Sequence, residues 1–267
     1  MITPNIDPSK HSLDKETLYS PLYNNAVEVD EAEVLPKVNR YLYGLDARTG
    51  VLQTFTNADY RSEALSLSPM WLWKDAHKED IEYFRTLTTF DDQNKTIIMK
   101  LHNYDGKLIS YKRRRLGQGK WITAKGTHPN AQPIVRVRLD NKPIYVIEGH
   151  HDSLTSVLMG INFIMLPTVN YTQFTEQDVS MMIDREVIFM PDIGDGNKSI
   201  DAMLSMRDQV KDITSKTAII NLLTFLSSFN ISYTHHKIDL SDLTTCWTHG
   251  LTSLKSSLQV YALGEKS

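Results

Sequence analysis

At 267 residues, 41% of them hydrophobic, the chain is long enough to bury one core of moderate size or two small ones. A formal net charge of −3 excludes nucleic-acid binding by bulk charge, so any such partner has to be held by a local patch. Cys246 is the sole cysteine, which excludes an internal disulfide framework and any zinc ribbon or finger built from cysteine pairs. With no basic-then-apolar leader and no run of about 18 apolar residues, the expected class is a soluble protein of the cytoplasm, or of the host cytoplasm if the chain is viral.

Residues 1–35 are polar, hold three prolines and an acidic cluster (Glu28, Asp30, Glu31, Glu33), and read as a mobile or peripheral arm. Residues 36–140 read as a smaller α+β unit. Asp46-Ala47-Arg48-Thr49-Gly50 marks a hairpin turn between strands over Tyr41 to Asn57, and a helix is expected around Lys74 to Leu87. A second hairpin spans Thr96 to Arg115, with Asp105-Gly106 as its turn.

After Pro143 the pattern changes. Apolar runs at Ile144 to Ile147, Ile161 to Leu166 and Val187 to Met190 alternate with helical stretches near Ser153 to Met159, Thr175 to Ile183 and Ser199 to Val210. That alternation predicts an α/β fold, a parallel sheet flanked by helices over residues 141–245. A long amphipathic segment from Ser215 to Ser228 and a short strand, Ile231 to Thr234, are expected to complete it, with residues 246–267 as a tail or helix.

Three of the strand-like runs deliver acids at their ends. Ile144 to Ile147 runs into Glu148-Gly149-His150-His151-Asp152, Val187 to Met190 runs through Pro191 into Asp192-Ile193-Gly194-Asp195, and Ile231 to Tyr233 is followed by Asp239 and Asp242. Ligands of an open parallel sheet bind outside the carboxyl ends of its strands. Carboxylates gathered there suit a hard divalent cation such as Mg²⁺, and without one their mutual repulsion is costly. Taken singly, each acid also fits a helix cap. The histidine pairs His150-His151 and His235-His236 suggest a transition metal less well, because neighbouring side chains point apart.

Glu148-Gly149-His150-His151-Asp152 resembles the E-G-x-x-D signature of the Toprim domain. Asp192 with Asp195 resembles a variant of that family's D-x-D motif, with Gly194 in the strict second-Asp position. Ile238-Asp239-Leu240-Ser241-Asp242-Leu243 is similar to the third acidic motif of the primase branch. The resemblance covers about residues 133 to 245. It implies a Toprim-like parallel sheet that binds Mg²⁺, with Mn²⁺ as a substitute, through Glu148, Asp152, Asp192, Asp195, Asp239 and Asp242, and that uses Glu148 and Asp192 in phosphodiester chemistry.

Upstream, no acid occurs between Asp105 and Asp140, whereas Lys107, Lys112, Arg113, Arg114, Arg115, Lys120, Lys125, Arg136 and Arg138 supply nine positive charges. Tyr111 and Trp121 are interleaved as possible stacking platforms. A solvated basic hairpin is the plainer alternative. Lys107 through Gly117, with Lys120-Trp121, resembles the subdomain that precedes Toprim in bacterial-type primases. The resemblance implies nucleotide or template contacts by Arg115 and Lys120, with Arg113, Lys112, Lys125 and Trp121 as further candidates. The expectation is a DNA primase core of phage or mobile-element type, making short RNA primers from ribonucleoside triphosphates on single-stranded DNA. A replicative helicase or a separate zinc-binding protein is a candidate partner, since one cysteine cannot build the family's zinc module. A Toprim nuclease and a non-catalytic replication-accessory protein are the alternatives.

Overall fold

The computed structural model describes residues 68–91, 96–102, 108–115, 121–124, 135–166, 173–194 and 197–264. The expected arm, the hairpin around Asp46 to Gly50 and the Asp105-Gly106 turn lie outside the described residues.

Two short helices open the described chain, α1 (Met70–Asp75) and α2 (Lys78–Leu87). They stand where one helix over Lys74 to Leu87 was expected. Ala76 and His77 are extended between them, and the end of α1 is engaged elsewhere: the Asp75 carboxylate accepts the Leu251 amide at 3.0 Å. Trp71 adds a bond from Nε1 to the Thr244 carbonyl, also 3.0 Å.

The expected hairpin forms as β2 (Thr96–His102) and β3 (Leu108–Arg115), flanked by β1 (Thr88–Asp91) and β4 (Ile122–Thr123) in an antiparallel sheet ordered β1-β2-β3-β4. Register decides which cations face inward. Arg114 lies opposite Ile97 and Lys112 opposite Met99, so these two share the face that enters the core, whereas Arg113 opposite Ile98 and Arg115 opposite Thr96 share the other.

The second sheet contains β5 (Val135–Arg136), β6 (Ile144–Glu148), β7 (Asn162–Leu166), β8 (Glu186–Met190) and β9 (Lys216–Ile219), in the order β5-β7-β6-β8-β9. All neighbours are parallel except β5 against β7. The expected boundary near Asn141 falls inside this unit, since β5 precedes it. Between and after these strands run α3 (His150–Met159), α4 (Glu176–Met182), α5 (Lys198–Val210), α6 (Leu222–Ser228), α7 (Leu240–Cys246) and α8 (Leu251–Leu263). No helix among the described residues is long and apolar enough to cross a membrane.

The uninterrupted apolar strands follow from burial on both faces. Tyr145, Ile147, Phe163, Met165, Ile188 and Met190 enter the core shared with α2, α3, α6, α7 and α8. Ile144, Val146, Ile164, Val187 and Phe189 enter a second core against α4 and α5. Two expectations fail here. The segment Ser215 to Ser228 divides into β9 and α6, because the Asn221 side chain caps α6 by accepting the Leu223 and Thr224 amides. Residues 231–234 form no strand, and an isolated bridge between Ile193 and Ile238 ties that part of the chain to the end of β8.

A buried ionic cluster joins the two sheets. Asp80 of α2, fully buried, pairs with Arg136 at 2.7 Å and also with Arg138. Arg136 lies over the Tyr83 ring, 4.4 Å from its centroid, and donates to the Val157 carbonyl of α3 at 3.2 Å. Gly160 ends α3 in the left-handed region at φ 63°, and a Cβ there would collide with an Asp80 carboxylate oxygen. Arg136 and Arg138 therefore leave the expected basic surface and neutralise a core carboxylate. Asp80→Ala strands a buried guanidinium and is expected to lower stability by about 3–5 kcal/mol, read by urea denaturation.

Candidate functional site

Glu148 and Asp192 are emitted at the ends of adjacent parallel strands, β6 and β8. Strand alternation sends Glu148 to the α5 side of the sheet, where Ser199 Oγ donates to its Oε2. Burial raises the Glu148 pKa, and the Ser199 hydrogen bond acts against that rise. Asp192 is pushed up to about 8, first by burial and then by the charges of Glu148, Asp239 and Asp242. Its Oδ1 is buried without a hydrogen-bond partner. It caps no helix, because Asn197 occupies the N-cap of α5.

The other acids are partly committed to the backbone. Asp152, in the first turn of α3, accepts the Leu240 and Ser241 amides at 3.1 and 3.2 Å and so stitches α3 to the start of α7. Burial and the charges of Asp239 and Asp192 raise its pKa well above the carboxylate range, while those two amides oppose the rise. Asp239 is the N-cap of α7 and forms a capping box with Asp242. Both therefore stand at a helix start rather than past a third sheet strand. Asp242 is raised by burial and by Asp239, and the Tyr233 hydroxyl reaches it while donating to the Lys237 carbonyl at 2.8 Å. Asp195 lies outside the described residues. At Gly194 an added Cβ would meet only the Lys237 side chain, at 3.8 Å from Cγ, an ordinary contact.

Among the described residues, no three His, Cys, Asp or Glu side chains converge closely enough to chelate an ion as they stand. Burial shifts Glu148, Asp152, Asp192 and Asp242 toward the neutral form, and for Asp152, Asp192 and Asp242 the charges of neighbouring acids add to it. Hard oxygen donors with one orphaned buried oxygen fit a small divalent cation.

The inner face of β3 meets this acidic unit through its histidines. Lys112 Nζ stands 3.4 Å from His150 Nδ1, and Arg114 stands 3.3 Å from His151 Nδ1. Burial lowers the Lys112 pKa to about 8, and burial together with Lys112 keeps His150 neutral. Lys112 is thus a buried contact between the two sheets. Trp121 packs against the core with its ring 6.3 Å from that of His150, and its buried Nε1 has no hydrogen-bond partner. Arg113 and Arg115 are exposed, and Lys120 and Lys125 lie outside the described residues. Sequence reasoning did not assign Ser199, Arg114 or Tyr233 to the site. Strand alternation already separates Arg114 from Arg113 and Arg115, whereas the Ser199 and Tyr233 contacts come from packing.

Folding raises the Asp192 pKa from 3.8 to about 8, so the folded chain holds a proton that the unfolded chain has released. The stability tied to that proton is complete below the unfolded value and is lost as pH rises through about 8. In metal-free protein, Asp192→Asn is therefore expected to raise Tm relative to the parent by an amount that grows from about pH 5 to about pH 9. Mg²⁺ is expected to raise the parent's Tm most at the alkaline end and to have little effect on the Asn variant, as followed by differential scanning calorimetry.

No protein-family model matches the chain, and no curated protein matches it in sequence. Solved structures do. A DnaG primase catalytic domain bound to single-stranded DNA is 13% identical, with 84% of this chain and 81% of that one covered and a TM-score of 0.45. The zinc-binding and RNA polymerase domains of Aquifex aeolicus primase are 12% identical, with 84% and 59% covered and a TM-score of 0.49. A chain of an assembly described as bacteriophage T7 lagging-strand DNA polymerase interacting with primase domains of two gp4 subunits bound to an RNA/DNA hybrid and dTTP is 13% identical, with 69% and 87% covered and a TM-score of 0.40. These solved structures, to which the mixed α/β chain is similar, are primase catalytic cores and a primase-containing assembly.

Proposed function

We propose that the chain is the catalytic core of a DNA primase, joining ribonucleotides into short primers on single-stranded DNA by Mg²⁺-dependent nucleotidyl transfer. The observation that carries this reading is the pairing of Glu148 with the orphaned, high-pKa Asp192 at neighbouring strand ends, beside a cationic strand. Glu148 and Asp192 would hold the ion, with Asp239, Asp242 and Asp195 adding negative charge around it. Bound there, Mg²⁺ neutralises the triphosphate and the charge that develops on the transferring phosphoryl group. Ser199 orients Glu148, and Asp152 fixes α7 so that Asp239 and Asp242 stay within reach of Asp192. Arg113 and Arg115 bind template phosphates on the outer face of β3, assisted by Lys120 and Lys125, while Lys112 and Trp121 support His150 from beneath.

Incubation with single-stranded DNA, ribonucleoside triphosphates and Mg²⁺ is expected to yield new short RNA. Glu148→Gln and Asp192→Asn are each expected to lower its rate by about 10²–10³-fold. Shortening of labelled DNA in place of new products would assign the same carboxylates to a nuclease. The accessory reading draws on Gly194 and on the engagement of Asp152 and Asp239 with backbone amides. Mg²⁺-independent strand binding, unchanged by Glu148→Gln and without products, would favour it.

Arg113→Ala and Arg115→Ala are expected to weaken strand binding uniformly across sequences. Removing either phosphate-binding cation should reduce the slope of log affinity against log salt by about 0.7, measured by fluorescence anisotropy.

A further inference from the structure

A cavity of about 190 Å³ opens at the amino ends of β6 and β7, against one face of α8. It lies at the opposite end of β6 from Glu148, since Tyr145 on its wall precedes that acid by three residues, or about 10 Å of strand. Pro143 and Ile161 give it apolar walls, and Lys142, Lys255 and Ser256 stand at its polar side.

Charge around this cavity is unbalanced. Of the carboxylates near its lining, Asp80 is paired with Arg136 and Arg138 and Asp140 with Arg185 and Lys142, while Glu186 accepts the neutral Gln259 amide at 3.5 Å and keeps its charge. Asn162 is engaged too, accepting the Arg138 amide at 2.9 Å and donating to Asp140 at 2.7 Å. Lys142 and Lys255 are the cations of the lining itself, which includes no carboxylate. Lys142 is largely exposed and stands 3.7 Å from Asp140, its closest acid. Burial lowers the Lys255 pKa, the Asp80 charge opposes this, and the charges of Lys142 and Arg138 add to it.

Tyr145 supplies a donor. The residue is 4% exposed overall, burial together with Glu186 keeps the hydroxyl protonated, and among the described residues that hydroxyl makes no hydrogen bond. A hydroxyl that lines a cavity without a protein partner is free to donate to whatever occupies that cavity. Ammonium groups are point charges suited to phosphate oxygens, which can accept from several donors at once.

We propose that this cavity binds a compact phosphate-bearing anion, held electrostatically by Lys142 and Lys255 and by a hydrogen bond from the Tyr145 hydroxyl, with Ser256 at its rim and any uncharged remainder against Pro143 and Ile161. The site is separate from the acidic centre and stands or falls independently of the primase reading.

The test is isothermal titration calorimetry of the full chain in EDTA, with inorganic phosphate in one arm and ribose 5-phosphate in the other, against chloride at equal ionic strength. Saturable binding with one-to-one stoichiometry is expected in at least one arm, and the tighter arm identifies the source of the phosphate. Lys255→Met is expected to weaken it at least about tenfold, with Glu148→Gln neutral. Tyr145→Phe is expected to weaken it several-fold while leaving the ligand-free Tm unchanged, since the hydroxyl has no bond to lose. This second variant keeps the test decisive should Lys255→Met unfold the chain. Absence of saturation up to about 10 mM, equal binding by both site variants, or loss of binding in Glu148→Gln would overturn the proposal.

Discussion

Asp80 is the buried carboxylate around which the small antiparallel unit docks onto the parallel one. It draws Arg136 of β5 and the nearby Arg138 onto α2, while Arg136 also reaches α3 through Val157. Once α2 and α3 are locked together, the inner face of β3 is brought against the first residues of α3. That places Lys112 beside His150 and Arg114 beside His151. An uncompensated Asp80 in that core would be prohibitive, and so would an uncompensated Arg136. The ionic cluster therefore specifies the pairing of the two units, whatever its net contribution to stability.

The acidic unit shows how one residue pattern can serve two physical purposes. Asp-x-x-Asp at positions 239 and 242 spells a capping box as readily as a ligand pair, and here it makes the capping box. Asp152 is similarly occupied in holding α7. Asp192 differs: no amide or hydroxyl stabilises its buried Oδ1, and its neighbours are other acids. Electrostatic need is thus concentrated on one side chain, which argues for chemistry where the other acids argue first for architecture.

The parts of the fold that could be read from sequence are those with local causes. Strands β6, β7 and β8 each carry an unbroken four-residue apolar run because cores lie on both their faces, and the hairpin of β2 and β3 follows from its own apolar pattern. Ser215 to Ser228 misleads because a four-residue strand and a seven-residue helix, joined at Asn221, blend into one amphipathic period. Residues 231–234 have strand composition but no ladder partner. Arg136 and Arg138 look like surface charge because Asp80, which neutralises them, is remote in sequence, 58 residues before Arg138. The same limit applies to the site. Glu148 and Asp192 could be found from their strands, whereas Ser199 and the inward turn of Lys112 depend on packing and register.

Gly194 has a consequence for how this site can vary. The backbone there is not in the left-handed region, and the space beside it is open up to Lys237. Some glycine codons become aspartate codons through one base change, and among the described residues nothing crowds the Cβ that such a step would add. Its cost would be electrostatic rather than steric, since Asp192 already bears the charges of Glu148, Asp239 and Asp242.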